Sequence, residues 1–407
     1  MSAPADLHFL RIEPLDVLLL RGNQSFGDPG SYGDAVMPPW PSVAAGAIRS
    51  RMLADAGADL AAFARSEQPH PALGTPTQPG PFTLRALHVA RLPDSSKTPQ
   101  ERIDLLMPPP ADLVINEEDK QKGKQVSQVL ALTPTTLPST LVSSCPLPQA
   151  PVLAQSTRGK PASGWWLTQA GWQKYLRGQT PDPADCVRTS SLWQFDERVG
   201  VGLSPETRSA ADGRLFTTRA IAMQKGVGLV AAISGLAGAQ PPESGLLRLG
   251  GDGRAACIQR IDPAYIDWLE PDWGAISKQN RCRLVLTSPG LFTQGWLPNG
   301  FMEQGDGIWR FNLHGVQGRL AAAAVARNET ISGWDLARWQ PKPAQRVAPT
   351  GSVYWLDELK ASPDALRQLA ERGLWSASCE DEARRAEGFN RVQITAWPDS
   401  SPSRSDG

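Results

Sequence analysis

The segment "ISGWDLARWQPKPAQRVAPTGSVYW", residues 331–355, most restricts how this chain can fold, because it holds three tryptophans, three cations and three prolines. Proline lacks a backbone N–H, so it is excluded from helix interiors and from central strands. Tryptophan is costly to leave in water. The pattern therefore predicts a rigid, irregular segment that packs against another surface, followed by an apolar strand at its C-terminal end.

Length and charge limit the class of protein. With 407 residues, the chain predicts two domains, which we place at residues 1–240 and 241–407. The 41 lysines and arginines equal the 41 aspartates and glutamates, so no overall basic excess indicates a nucleic-acid or membrane partner. A polyanionic partner would have to be bound by local clusters of cations.

Targeting signals and cysteines indicate the compartment. The start of the chain lacks the basic region, apolar run and cleavage site of a secretion signal. No uninterrupted apolar stretch reaches the roughly 18 residues of a membrane span. The five cysteines are widely spaced and form no CxxC pair. We expect a cytoplasmic protein with reduced thiols, no structural metal and no cofactor.

The N-terminal half reads as a strand, a loop and a helix, followed by an insertion. Residues 7–21 predict a strand with a bend at a proline, and residues 22–41 form a loop rich in glycine and proline. Ser42 is the predicted N-cap of a helix. Prolines crowd residues 66–190, which predicts a large irregular insertion into the first domain without a core of its own.

The C-terminal half is dominated by strands. Strands are predicted at "RCRLVLTSP", "RFNLHGV" and "NRVQITAW", and a helix is predicted from the N-cap Ser362 to the terminating Gly373. Because strands outnumber helices in both halves, the sequence predicts an α+β fold.

Sequence motifs for catalysis are few. The four histidines stand alone, without HxxxH or HExxH spacing, and neither GxSxG nor a P-loop is present. The stretch "GVGLVA" at residues 226–231 satisfies a dinucleotide-binding pattern. However, the flanking β-rich runs favour a hairpin with a glycine turn.

Residues 196–226 spread arginines between two strand-like runs with acids beside them. Two interpretations stay open. The segment is a solvated hairpin with surface ion pairs, each of which contributes little, or it is a loop whose arginines and amides grip phosphates. Taken alone, the pattern favours the first interpretation. The cations concerned are Arg198, Arg208, Arg214, Arg219 and Lys225.

Residues 313–355, which include the segment quoted first, favour the phosphate-binding interpretation. Between residues 313 and 355, five cations stand against two acids, which gives a local net charge of +3 in a neutral protein. Tryptophan and arginine planes suit stacking on single-stranded bases. In the alternative interpretation the tryptophans are core anchors, which we expect for at least one of Trp334, Trp339 and Trp355. The cations are Arg319, Arg327, Arg338, Lys342 and Arg346.

Several motifs in register resemble a known family. "GWDLARWQPKPAQRVAPTGSVYW" is similar to the signature of the RAMP-superfamily third subunit of type III-B CRISPR (Cmr) effector complexes. Further blocks agree in order: "PLDVLLLRGNQSF", "PSVAAGAIRSRM", "ERVGVGLSPETRSAADGRLFTTRAI" and "LTSPGLFTQGWLP". The resemblance covers about residues 9 to 397.

This resemblance implies both a fold and a role. The implied fold is two tandem ferredoxin-like, RRM-like domains with antiparallel sheets and glycine-rich loops. The implied role is a subunit that is not an enzyme, and that holds the 5′ repeat-derived handle of the CRISPR RNA (crRNA) in an antiviral ribonucleoprotein. The implied partners are that RNA, a large polymerase-like subunit and a RAMP backbone subunit, which is expected to cut the target RNA.

The resemblance also implies which residues bind RNA. By motif position they are Arg49, Arg51, Arg198, Arg208, Arg219, Lys225, Trp339, Lys342 and Arg346. The chain departs from the family pattern near its end, where Asn390 stands in place of an expected glycine. Contact of Arg384, Arg385 and Arg391 with RNA is therefore not carried over.

Two alternative functions remain open at this point. A RAMP endoribonuclease that processes precursor crRNA would need a histidine in the cleft, for which His8 and His314 are the candidates. A carbohydrate-active enzyme would use tryptophan platforms and two carboxylates in one cleft. Its candidate acids are Asp267, Glu270 and Asp272.

Overall fold

Two six-stranded sheets with few helices make up the fold of the computed structural model. It describes residues 6–20, 22, 32–33, 35–93, 102–120, 123–138, 140–141, 143, 145–155, 159–204, 206–267, 270–305, 307–335 and 337–398. Within these residues, no helix is both long and apolar enough to cross a bilayer.

The strands are named in chain order. Those that precede residue 270 are β1 (His8–Pro14), β2 (Tyr32–Gly33), β3 (Thr83–Arg91), β4 (Asp104–Leu106), β5 (Leu113–Lys120), β6 (Gly123–Ala131), β7 (Thr133–Thr135), β8 (Ala150–Val152), β9 (Trp165–Leu167), β10 (Cys186–Arg188), β11 (Trp193–Leu203), β12 (Ala210–Met223), β13 (Val227–Ser234), β14 (Ser244–Arg248) and β15 (Ala255–Ile261). Those that follow are β16 (Cys282–Leu286), β17 (Phe301–Glu303), β18 (Trp309–Leu313), β19 (Val316–Ala324), β20 (Glu329–Ile331), β21 (Trp334–Asp335), β22 (Gln340–Pro341), β23 (Gln345–Val347), β24 (Val353–Lys360) and β25 (Val392–Ala396).

The helices are short apart from the first. They are α1 (Pro41–Asp55), α2 (Leu60–Ala64), α3 (Gln169–Leu176), α4 (Trp273–Gln279), α5 (Pro363–Arg372) and α6 (Glu382–Ala386). Three 3-10 turns lie at Pro183–Asp185, Thr189–Ser191 and Pro263–Tyr265.

The first sheet has the strand order β14-β15-β1-β13-β3-β4, and all of its pairings are antiparallel. Helix α1 packs on one face, because Ala44, Ile48 and Met52 recur at a spacing of four residues and are buried in that core. The helix begins at Pro41, directly after Trp40, so the prediction of Ser42 as N-cap is wrong. Proline at the first helical position loses nothing, since its missing N–H would have no partner there.

The second sheet has the order β17-β18-β19-β24-β16-β25 and is also antiparallel. Helix α5 covers it and has the predicted ends: the Ser362 side chain accepts from the Ala365 N–H, and Gly373 follows the last turn. The mixed α/β class with mostly antiparallel sheets is confirmed. The tandem ferredoxin-like arrangement stays a prediction. Each ferredoxin-like unit has the element order β-α-β-β-α-β, whereas the chain runs from β13 through β14 to β15 without a helix.

The two sheets share a core. Phe9 and Val230 of the first sheet and Val285 and Trp355 of the second belong to one buried cluster. Trp355 is fully buried, which agrees with the expectation that one tryptophan of the opening segment is a core anchor. Apolar contact between the inner faces of both sheets fixes how they are oriented relative to each other.

The segment predicted as an insertion contributes two strands to the first sheet and several side chains to the core that the two sheets share. β3 and β4 lie within residues 66–190 yet pair in the first sheet, so that segment is not wholly an insertion. Its remaining part supplies Trp165, Trp172 and Tyr175 to the shared core. The division at residue 240 stays a prediction, but strand pairing favours a boundary after β15, which lies in the first sheet.

The glycine pattern at residues 226–231 forms no nucleotide-binding turn. β13 follows Gly226 directly, whereas a dinucleotide-binding turn would lead into a helix. β12 and β13 pair in different sheets, so the glycine turn connects two sheets and does not close a simple hairpin.

A buried ion pair ties the insertion to the second sheet. Arg283 on β16 donates to Asp112 Oδ2 at 2.6 Å, and only 1% of its side chain is exposed. The guanidinium also donates to the carbonyls of Tyr175 and Ala396 and to Thr395 Oγ1. Tyr175 Oη donates to Asp112 Oδ1 at 2.8 Å, which satisfies the second carboxylate oxygen. A charge pair removed this fully from water is stable only because its polar atoms are hydrogen-bonded.

We expect Asp112→Ala to lower the free energy of unfolding by about 3–5 kcal/mol, because it leaves the Arg283 charge buried without its partner. The matched control is Asp182→Ala, which removes an exposed partner of Lys174 in the same insertion and should cost less than about 1 kcal/mol. Urea denaturation of both variants measures the difference. Equal losses in the two variants would show that burial of the Asp112 pair is unimportant.

His88 makes stability depend on pH. It borders a small cavity between the sheets, and burial lowers the pKa of His88 to about 4. An unfolded histidine binds a proton below about pH 6.5. The unfolded state therefore gains a proton that the folded state excludes. As a result, the free energy of unfolding decreases as the pH is lowered from about 6.5 towards 4.

Between pH 7 and pH 5, we expect the folded chain to lose about 2 kcal/mol through His88. The His88→Gln variant cannot titrate there and should show a correspondingly flatter profile. Chemical denaturation at the two pH values measures both profiles. Parallel profiles for the two proteins would contradict the assignment.

Candidate nucleic-acid interface

The hairpin of β11 and β12 carries the central arginines and lies largely outside the two cores. Arg198 donates to Asp196 Oδ2 at 2.7 Å. Arg219 lies 3.4 Å from a Glu197 carboxylate oxygen and stacks over the Phe195 ring at 4.2 Å. These acids hold two of the arginines in place, as either interpretation of the sequence requires. The structure therefore brings the predicted Arg198 and Arg219 onto one ribbon.

The ends of this ribbon carry two further cations. Arg208 is exposed at the tip, where its N–H donates to the Ser204 carbonyl at 2.9 Å. Its φ of 55° is uncommon for a residue with a side chain, which indicates a tightly defined turn. Lys225 is exposed in the turn between β12 and β13, at the opposite end of β12.

One face of the ribbon is apolar and exposed. Alternation along the strands places Val199, Val201 and Leu215 on the same face, and Val201 pairs directly with Leu215. On the other face, the Phe216 ring covers Gly200, where any Cβ would lie 2.4 Å from the ring. The short strand β2 pairs with Thr217 and Thr218 of β12, so the ribbon is two-stranded over most of its length. A two-stranded ribbon has marginal stability alone, and an exposed apolar face is typical of an interaction surface.

Two of the three tryptophans of the opening segment, Trp334 and Trp339, lie on a second, shorter hairpin formed by β21 and β22. Trp334 and Trp339 meet edge to face, with ring centroids 5.9 Å apart. Asp335 shapes the turn, since its Oδ1 accepts from the N–H groups of Ala337 and Arg338. Trp339 is 74% exposed and has a φ of 53°. Such exposure of a large aromatic ring on a defined turn is unusual for a residue that serves only packing.

Cations gather around one buried carboxylate beside this hairpin. Glu387 is 5% exposed; one carboxylate oxygen accepts from Lys342 Nζ and the other from Arg384 Nη1 at 3.0 Å. Arg49 of α1 is also close enough to interact electrostatically with Glu387, and burial lowers the pKa of Arg49. We call Arg49, Lys342, Arg384 and Glu387 the Glu387 cluster. Its formal net charge is +2, from three cations and one acid.

Other predicted residues have internal or separate roles. Arg51 pairs with Asp55 and donates to the carbonyls of Ser244 and Leu246, so it fastens α1 to the edge of the first sheet. Arg346 on β23 is exposed, lies in the strand pair that flanks the β21–β22 hairpin, and lines a cavity.

Arg391 is not carried over as an RNA contact, because the chain departs from the family pattern there. It donates to the carbonyls of Ala370 and Glu371 at the end of α5. Its neighbour Asn390 does adopt the left-handed conformation, with φ 58°.

The residues needed by the alternative functions do not converge. Burial and the nearby Arg260 lower the pKa of His8 on β1, whereas His314 follows β18 in the second sheet. Of the candidate acids, Asp272 caps α4, Glu270 accepts from the Trp273 ring N–H, and Asp267 pairs with Arg102. Within the described residues, no group of three potential metal ligands is present.

Reasoning from the sequence missed two members of the Glu387 cluster. Arg384 and Glu387 are three residues apart, so α6 brings their side chains together. The short charged run "DEARRAEG" carries this i, i+3 pair, but only tertiary structure places α1 and Lys342 beside it.

Comparison with known proteins gives one match over nearly the whole chain. The family model described as CRISPR-associated protein (Cas_Cmr3) matches residues 10–397. A curated protein of Methylibium petroleiphilum, the tRNA 5-methylaminomethyl-2-thiouridine biosynthesis bifunctional protein MnmC, is 26% identical over 170 residues. That match covers 37% of this chain and only 25% of the length of the curated protein.

Two solved structures are similar over most of their length. A chain in the cryo-EM structure of the Type III-B Cmr-beta bound to cognate target RNA is 13% identical, with a TM-score of 0.45, over 95% of this chain and 96% of that one. A chain in the structure of the Type III-B Cmr-beta bound to cognate target RNA and AMPPnP, state 1, is 13% identical with a TM-score of 0.38, over 85% and 86%.

The family match covers the same residues as the motifs quoted from the sequence, and it confirms the family that those motifs indicate. The chain belongs to the Cas_Cmr3 family of CRISPR-associated proteins.

Proposed function

We propose that this chain is a non-catalytic RNA-binding subunit of a type III-B CRISPR ribonucleoprotein. In this role it holds the 5′ repeat-derived handle of the crRNA. It also joins the large polymerase-like subunit to the RAMP backbone subunit, so the complex is hetero-oligomeric. Cleavage of target RNA belongs to a partner in this proposal.

The tryptophan hairpin is the observation that carries the proposal. Trp339 presents an exposed ring at a fixed turn, and Arg338 stands beside it in the chain. Aromatic rings stack on unpaired bases with a gain of about 1–3 kcal/mol per base, whatever the base. A handle of unpaired nucleotides is the kind of ligand that such a platform suits.

The Glu387 cluster supports RNA binding next to that platform. Lys342 connects the two features: its N–H donates to the Gly333 carbonyl at 2.8 Å, and its ammonium group reaches Glu387. The Lys342 side chain is 28% exposed, against 5% for Arg384, and is the one that a phosphate can reach, while the Glu387 carboxylate keeps it aligned. A strand that stacks on Trp339 would find cations at its backbone.

The ribbon of β11 and β12 supports contact with both RNA and protein. Its arginines suit phosphates, and its exposed face of Val199, Val201 and Leu215 suits an apolar surface on a protein partner. The strand register places Arg198 on the face opposite Val199, whereas Arg219 lies on the same face as the apolar side chains, so that face carries both a cation and an apolar surface.

Changing Arg208 and Arg219 together to alanine should weaken retention of the handle RNA. Two lost phosphate contacts lower the slope of log affinity against log salt by roughly 1.4 for a single strand. Filter binding of a handle oligonucleotide at several salt concentrations measures this slope. The control is Arg65→Ala, which removes a surface arginine paired with Glu67 on α2's C-terminal side.

Sequencing the small RNA that copurifies with the double variant from its native host gives a second readout. Circular dichroism should show an intact fold, since both side chains lie outside the cores. Undiminished handle occupancy together with an unchanged salt slope would refute the assignment of these arginines.

Trp339→Ala should weaken binding of the same oligonucleotide roughly tenfold, because one stacked base loses its platform. Trp339→Phe should retain most of the affinity, since an aromatic face remains. The salt slope should stay as in the unmodified chain, because no cation is lost. Equal affinities for the alanine and phenylalanine variants would argue against stacking.

A further inference from the structure

A large cavity lies between the insertion and the second sheet, beside the pair of β20 and β23 that flanks the tryptophan hairpin in the chain. Its volume is about 570 Å³, within the range typical of small-molecule sites. Cys145, Pro146 and Leu147 of the insertion form one wall, and Ala323 and Val325 at the end of β19 belong to the opposite one. The Gln149 N–H donates to the Ala321 carbonyl at 3.0 Å, which fastens the insertion wall to the sheet.

Trp296 gives this cavity a fixed aromatic surface. Its ring is stacked on Tyr354, with centroids 6.5 Å apart and planes inclined by 12°. Tyr354 Oη donates to the Trp296 carbonyl at 2.6 Å, so backbone and ring are both held. The Trp296 side chain lines the cavity and is still 37% exposed. An aromatic ring held in this way is preorganised for a planar ligand.

Two arginines that line the cavity have no ion-pair partner among the residues that the structure describes. Arg327 and Arg346 are exposed, and neither side chain forms an ion pair or hydrogen bond with any residue that the structure describes. Many other arginines of the chain are paired with acids, among them Arg283, Arg310 and Arg319. The residues that line the cavity include no aspartate or glutamate. Its electrostatic character therefore favours an anion.

We propose that this cavity binds a nucleotide, with the base against Trp296 and the apolar wall and the phosphate at Arg327 and Arg346. Asn328, which also lines the cavity, carries both a donor and an acceptor for the edge of a base. The nucleotide comes either from solution or from an unpaired position of an RNA strand, since both present the same chemistry.

The combination of features selects a nucleotide over simpler ligands. Inorganic phosphate would leave the aromatic and apolar surface unused, and an uncharged aromatic compound would leave two guanidinium groups unpaired. Arginine is suited to phosphate because its planar fork donates two parallel hydrogen bonds. This site goes beyond the proposed handle binding and shares only Arg346 with the residues predicted for it.

Cys145 provides a direct test, because it lines the cavity and is exposed, whereas the other four cysteines are partly or fully buried. The full chain is treated with iodoacetamide, and the rate of Cys145 alkylation is followed by mass spectrometry with Cys379 as the internal reference. The probes are AMP, adenosine, inorganic phosphate and a tetranucleotide of RNA. We expect AMP to slow Cys145 alkylation at concentrations at which adenosine and phosphate do not.

The double variant Arg327→Ala, Arg346→Ala should require roughly tenfold or more AMP for the same protection. Arg177→Ala, which removes an exposed arginine outside the cavity, should behave as the unmodified chain. Protection by the tetranucleotide alone, lost in the double variant, would support the site with an RNA strand as the source. The proposal is wrong if neither AMP nor the tetranucleotide protects Cys145. It is also wrong if Arg177→Ala raises the AMP concentration needed for protection as much as the double variant does.

This result is independent of handle binding. The Arg208 and Arg219 variant leaves the cavity intact, so it should lose handle RNA yet retain protection of Cys145 by AMP. Failure of one experiment therefore does not imply failure of the other.

Discussion

The buried pair of Arg283 and Asp112 is the constraint on which the arrangement of this molecule depends. Both charges are removed from water, and each carboxylate oxygen and each guanidinium nitrogen has a partner. Such a pair adds little net stability compared with apolar packing, but any displacement of either partner exposes an unsatisfied charge to a low-dielectric interior. The pair thus specifies one position of the insertion on the second sheet.

Both candidate sites follow from that position. The cavity exists only because the segment around Leu147 is laid along β19, with Trp296 behind it. The Glu387 cluster needs α1 of the first sheet beside α6, and the core shared by the two sheets sets the relative position of the sheets. Neither arrangement belongs to one domain alone, so the binding surfaces are products of how the two sheets pack together.

The sequence predicted the local features and missed those that depend on tertiary contact. The cap at Ser362 and the buried strand that begins at Val353 follow from residue chemistry within a few positions, whereas the sequence left open which of the three tryptophans is buried. Strands β3 and β4, at one end of the first sheet, were not predicted within the proline-rich stretch, because pairing in a sheet is set by distant partners. For the same reason Arg51 resembled a free cation, although it holds the edge of the first sheet through backbone carbonyls 193 and 195 residues away.

For the proposed RNA-binding role, the pairing of cations with neighbouring acids has a consequence for selectivity. A protein with no net charge exerts little long-range attraction, so the abundant RNA of a cell is not concentrated at its surface. A phosphate at the Glu387 cluster must compete with a carboxylate that is already in place, and only a strand that also satisfies the tryptophan hairpin gains enough to do so. In the proposed role, discrimination against bulk RNA would be set by these ion pairs in the free protein, before any base is contacted.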